Sequence, residues 1–148
     1  MKNAMFRSAT VVAVMAILIA GGMVSTGCSS DNDPDAGLYT IWQLHEFVLD
    51  DGKTVPVDDP AKYTLDLKTD GTASIKSDCN SCNGSFTADE DTLTFGLLAC
   101  TLAMCAADSF DNQYQMALST ASDYELTPQL LLSYDGGVMR FIPAPTLF

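Results

Sequence analysis

The chain predicts an α+β fold: a β-rich antiparallel sheet of about seven or eight short strands packed around a single amphipathic helix. Two observations carry this. From Leu38 onward, short runs of alternating apolar and polar residues are split by turns containing Gly, Asp or Pro. One stretch, residues 108–121, breaks that rhythm with apolar groups at helical spacing. A sheet with one face to cover and a helix with one stripe to bury form a single layered domain.

The N-terminus stands apart from that domain. Lys2 and Arg7 precede a continuous apolar run at residues 9–20, ATVVAVMAILIA, which Gly21-Gly22 ends. The run is shorter than the ~20 residues a membrane-spanning helix needs, and its basic flank matches an export signal. Residues 1–27 are therefore read as a lipoprotein signal peptide. The residues before Cys28 are small, as lipoprotein signal peptidase requires, with Ser25 standing where Leu is usual. Cys28 is the expected lipidation site and the expected membrane attachment. Ser29 after it, rather than Asp, favours the outer membrane where the cell has one. Ordinary cleavage nearby would instead leave a periplasmic or secreted protein with a free thiol. Residues 28–37 are polar, with Pro34 and Gly37 and no large apolar group, so they form the expected flexible tether. The folded domain is expected over 38–148.

Within it, residues 39–49 alternate imperfectly, with Ile41, Trp42, Leu44 and Phe47 expected inside. Asp50-Asp51-Gly52 ends that strand, and a loop holding Pro56 and Pro60 follows. Tyr63, Leu65 and Leu67 alternate cleanly with Thr64 and Asp66. Thr69-Asp70-Gly71 then turns the chain into a return strand at 72–76. A second hairpin pairs 85–88 with 92–95 across Asp89-Glu90-Asp91. A third unit uses 124–126, 130–134 and 138–142, with Asp135-Gly136-Gly137 as its last turn. In the helix, Phe110, Tyr114, Ala117, Leu118 and Ala121 form one stripe, and Asp108 or Ser109 is a suitable N-cap. Asp111 and Gln115 fall on the opposite, solvent-facing side of that wheel.

Removal of residues 1–27 leaves 121 residues, enough for one domain, with five Lys and Arg against nineteen Asp and Glu, a net charge of −14. Such a surface repels phosphate backbones, which excludes nucleic acid as a partner.

The five cysteines are the most informative residues. Cys79-x2-Cys82 is followed, after 17 intervening residues, by Cys100-x4-Cys105, and Cys28 stands alone. Zinc ligation and redox exchange both use such spacing. Export to an oxidising compartment favours structural disulfides instead, and the negative Asp78 beside Cys79 disfavours a reactive thiolate. If Cys28 is consumed by lipid, an even set of four remains, for which three pairings are open.

Cys79-Asn80-Ser-Cys-Asn-Gly84-Ser-Phe86 resembles the signature of META domains, the HslJ-like lipoprotein family. Cys100-Thr101-Leu-Ala-Met-Cys105 resembles that family's second motif, and Trp42-Gln-Leu44 resembles its opening one. Leu130-Leu-Leu132, Asp135-Gly136 and Phe141 resemble its closing hairpin. The likeness spans Leu38 to Ile142. Asp78 stands where the family usually has Gly, Leu102 where it has Arg, and Ala106 where Pro is common. The resemblance implies a compact β-rich fold around a helix, a lipoprotein or secreted location, and no established catalytic activity. It also implies Cys79 paired with Cys105, and Cys82 with Cys100 as an added pair. Asn80, Gly84, Phe86, Thr101 and Trp42 are then structural motif residues.

Other candidates weigh as structural. His45, the lone histidine, sits beside Glu46 in a strand, where neighbours face opposite ways. Asn80 is expected to satisfy backbone groups of its own loop. Asp89-Glu90-Asp91 and Asp50-Asp51-Gly52 lack the ligand alternation of a calcium loop. Phe95, Tyr114 and Phe141 are expected in the core. No catalytic residue, metal site or cofactor is assigned. The expected function is that of a monomeric, non-enzymatic envelope lipoprotein acting in homeostasis or in stress and antibiotic tolerance. The alternative is a binding or inhibitor module for a cationic protein.

Overall fold

The structure is a computed structural model, and it describes residues 37–145. The signal segment, Cys28 and all of the tether but Gly37 lie outside the described residues.

Antiparallel strands dominate. They are β1 (Ile41–Leu49), β2 (Thr54–Pro56), β3 (Tyr63–Leu67), β4 (Thr72–Ser77), β5 (Asn80–Asp89), β6 (Thr92–Phe95) and β7 (Ala99–Cys100), then β8 (Tyr124–Leu126), β9 (Leu130–Tyr134) and β10 (Gly137–Pro143). One helix, α1 (Asp111–Ser119), lies between β7 and β8, and a 3-10 turn (Pro60–Lys62) precedes β3. The main path runs β6-β5-β4-β3-β1-β10-β9-β8, with β2 added to β1 and β7 to β5. Its two ends meet. Thr92 bridges Asp123, the Leu93 N–H donates to the Ser122 carbonyl, and the Tyr124 N–H donates to the Asp91 carbonyl. The sheet therefore closes into a near-barrel, which leaves little open edge for other chains to pair with.

The fold class and the eight strands expected from the sequence are present, and the structure adds two. β2 forms inside the stretch expected to be a loop, where Pro56 sits on an edge strand that can dispense with its N–H. β7 is only two residues long and owes its conformation to β5 beside it. β1 explains its own irregular pattern. Its pairing with β10 slips one residue between Leu44 and Glu46, so His45 is a bulge residue. Trp42 and Leu44 before the bulge and Phe47 after it all face the core. Ile41 does not: it is adjacent to Trp42, points to the other face and is 46 % exposed. Nor is residue 80 in a loop, because β5 begins at Asn80 and the turn is confined to Asp78-Cys79.

The helix is shorter than the 108–121 expected. Asp108 takes no part in its cap, and Phe110 occupies the N-cap position without a side-chain cap. Ser109 serves from one residue further out, its Oγ accepting the Asp111 N–H at 3.1 Å. Tyr114, Ala117 and Leu118 are buried. The Tyr114 ring stands edge-on to Tyr63 at 5.9 Å and lies 6.2 Å from Phe141, while Phe110 packs against Phe47 at 5.8 Å. The stripe thus meets β1 and β3 as well as the closing hairpin. The Tyr114 hydroxyl is buried with no hydrogen-bond partner, and that burial pushes its ionisation well above the usual phenol range. Leu118 has no exposed surface, so Leu118→Ala is expected to cost ~2–5 kcal/mol in denaturant melts.

Candidate functional site

The cysteine block builds a groove beside α1, and its construction starts at the β4–β5 turn. Asp78 there has φ 53°, a left-handed conformation that Gly, Asn and Asp tolerate best. Asp therefore fills a position where the related pattern carries Gly. Its side chain also acts at a distance: the Ser109 hydroxyl donates to it, and Lys62 Nζ lies 3.3 Å away. These two partners, the Ser109 hydrogen bond first, hold the carboxyl below its ordinary ionisation range. The turn is thereby tied to the residue that leads into α1.

Two disulfides then lay the following segment along β5. Cys79 bonds Cys105, and Cys82 bonds Cys100, with which it is directly paired across the β5–β7 ladder. With all four thiols consumed, none of them is free to ligate zinc or to exchange in its present state.

Between the two bridges, Asn80 is 3 % exposed and uses both ends of its amide. Oδ1 accepts from Thr101 Oγ1 at 2.9 Å and from the Ala103 N–H at 2.7 Å. Nδ2 donates to the Ala103 carbonyl at 3.1 Å and to Asp111 Oδ2 at 2.9 Å. Asn80 does satisfy backbone groups, but they belong to Ala103, 23 residues away, and not to its own turn. Thr101 completes the join, since its Oγ1 accepts the Ser81 N–H and its N–H donates to the Ser81 carbonyl, both at 3.0 Å.

Asp111 and Gln115, expected on the solvent face of the helix, form the groove floor. Asp111 is 8 % exposed, and its Oδ1 accepts from Gln115 Nε2 at 2.6 Å. The helical wheel misplaces both because it cannot see the 101–107 segment, which has neither strand nor helix periodicity and covers that side of α1. The resulting groove holds about 470 Å³ and is open to solvent. Leu102 and Met104 line it and are 94 % and 100 % exposed. These four residues were missed from sequence. The available signal was two large apolar residues in an otherwise small and polar loop between cysteines.

Charge in the groove is one-sided. Ion pairs among the described residues are Lys53–Asp51, Lys62–Asp78, Lys68–Asp66 and Arg140–Glu46. Asp111 is in none of them.

The remaining motif residues lie outside the groove. A Cβ on Gly84 would come within 2.8 Å of the Leu97 carbonyl oxygen, so Gly is required where the β6–β7 connection crosses β5. Phe86 packs near Tyr39 and Phe95, and Trp42 is buried with its Nε1–H donated to the Leu38 carbonyl at 2.9 Å. His45 is exposed on the β1 bulge. Asp89-Glu90-Asp91 and Asp50-Asp51-Gly52 are exposed at turns, and Asp51 pairs with Lys53.

A family model described as META domain matches residues 37–146. No curated protein matches the chain at a significant level. Among solved structures, the NMR structure of a protein from Burkholderia xenovorans is 25 % identical with a TM-score of 0.62, covering 86 % of this chain and 100 % of that one. The crystal structure of a DUF4847 family protein from Bacteroides vulgatus is 17 % identical with a TM-score of 0.51, covering 70 % of this chain and 92 % of that one. The second likeness is one of fold alone.

Proposed function

The chain belongs to the META domain family, and from that premise we propose that it is a non-enzymatic lipoprotein of the cell envelope. In this reading residues 1–27 direct export, Cys28 carries the lipid, and residues 28–37 tether the domain to the membrane. The domain then supports envelope homeostasis, including tolerance of stress and antibiotics. The observation that carries the reading is the use of the cysteines. Four of the five are consumed by two disulfides, which leaves Cys28, eight residues beyond the apolar run, as the odd cysteine of the sequence. The engagement of Asn80 and Thr101 in holding the 101–103 segment supports a scaffold over a catalyst.

Cys28→Ala is expected to move the protein from the membrane fraction to the soluble envelope fraction. Mass spectrometry of the wild-type N-terminus should then show a diacylglyceryl or triacyl adduct on Cys28. A variant that stays membrane-bound, with no lipid mass on the wild type, would sink the anchoring.

A second reading, a binding module that captures a cationic protein, is favoured by the groove. Among the described residues no cation pairs with Asp111, and Leu102 and Met104 line the groove almost fully exposed. The exposed apolar groups there are aliphatic and thioether side chains.

A further inference from the structure

We propose that the groove between the 101–107 segment and α1 receives one lysine or arginine side chain of a partner polypeptide, flanked there by apolar residues. The inference rests on the binding-module reading and names the site, the chemistry of the occupant and the residues that meet it.

Three observations on this surface converge. First, the Asp111 carboxylate lies on the groove floor, 8 % exposed, and its hydrogen bonds come from the neutral amides of Asn80 and Gln115. Those amides orient the oxygens but bring no formal charge. The start of α1 offers only a partial positive charge. Second, the described residues lining the groove include no basic one, so no cation among them competes for that carboxylate. Third, Leu102 and Met104 stand almost fully in solvent, a position that leaves about their whole apolar surface to be covered. An ammonium or guanidinium on an alkyl stem fits all three. Its head reaches Asp111 in a site partly shielded from water, where a charge pair is stronger than at the open surface. Its methylenes lie between Leu102 and Met104, and apolar neighbours on the partner cover the outer ends of both. The mature chain's net charge of −14 steers such a partner inward and rejects anionic ones.

The probes are a short blocked peptide with one lysine between two leucines, and its copies with norleucine or glutamate in place of the lysine. They are titrated into the whole mature chain from residue 28, with Cys28→Ser to keep it free of lipid, and read by amide chemical shifts. The lysine peptide is expected to perturb the amides of Ala103, Asp111 and Gln115, and the two control peptides to bind at least about tenfold more weakly. Asp111→Asn keeps the side-chain shape, and Leu102→Arg puts a cation on a residue with no packing role. Each is expected to weaken the lysine peptide about tenfold or more, with Asp135→Asn on the exposed β9–β10 turn as an unchanged control. Equal binding of the norleucine peptide overturns the cation assignment. Shifts that map elsewhere, or equal weakening by Asp135→Asn, overturn the groove and leave the binding reading standing. No shift with any peptide overturns both.

Discussion

Removing both disulfides is expected to lower the domain's stability by about 5–6 kcal/mol, a third or more of an ordinary total. In the chain-entropy description, closing the Cys82–Cys100 loop, with a sequence separation of 18, contributes about 3 kcal/mol. The Cys79–Cys105 loop, with a separation of 26, encloses the first one. Once the inner bridge exists, the outer bridge closes a path of only about nine residues and adds about 2–3 kcal/mol. The pair together contributes about 5–6 kcal/mol, against a total stability of ~5–15 kcal/mol for a domain of ordinary size. Nesting also fixes an order. Whichever bridge is removed first should cost less than the second, because the survivor still holds most of the segment to β5. Denaturant melts of the paired variants Cys79→Ser with Cys105→Ser, of Cys82→Ser with Cys100→Ser, and of the fourfold variant measure this directly. A fourfold variant within about 1 kcal/mol of wild type would mean that Asn80 and the strand ladders alone hold the segment.

How much of this was legible from sequence follows from what holds each element. β3 and β4 could be read because Tyr63, Leu65 and Leu67 repeat with the period of the pleat and face a core that rewards it. The helix could be read through Tyr114, Ala117 and Leu118, which are buried for the same reason. β1 was only partly legible, since the bulge at His45 shifts the phase of its pattern and Ile41, next to buried Trp42, falls on the outer face. β2 and β7 are three and two residues long, and their conformation belongs to the strand they pair with. The 101–107 segment was the least legible. It carries no repeat of its own and is placed by two covalent bonds and one amide, each reaching some twenty residues along the chain. A groove whose one wall is such a segment cannot be found by periodicity, and the burial of Asp111 went unread with it.

That same dependence makes Asn80 the most consequential polar side chain in the domain. Asn80→Ala would strip a partner from the Thr101 hydroxyl, from both backbone groups of Ala103 and from Asp111 Oδ2. A buried group left without its partner costs about 1–3 kcal/mol. The open mouth of the groove lets water replace some of these bonds, so about 2–4 kcal/mol in total is expected. Asn80→Asp is the sharper variant because its shape is nearly unchanged. It keeps the acceptor that serves Thr101 and the Ala103 N–H. In place of the amide donor it sets a second carboxylate against the Asp111 carboxylate and the Ala103 carbonyl, and like charges at that range repel. Asn80→Asp should therefore be at least as damaging at neutral pH and should recover as acid protonates one of the two carboxyls. Asp111→Ala should cost about 1–3 kcal/mol, where a solvent-facing helix residue would cost under ~0.5 kcal/mol. Hydrogen exchange adds a local readout: the Ala103 amide should lose protection in both Asn80 variants while the β3–β4 ladder keeps it. If both Asn80 variants melt within about 0.5 kcal/mol of wild type, the disulfides alone place the segment and the amide is dispensable.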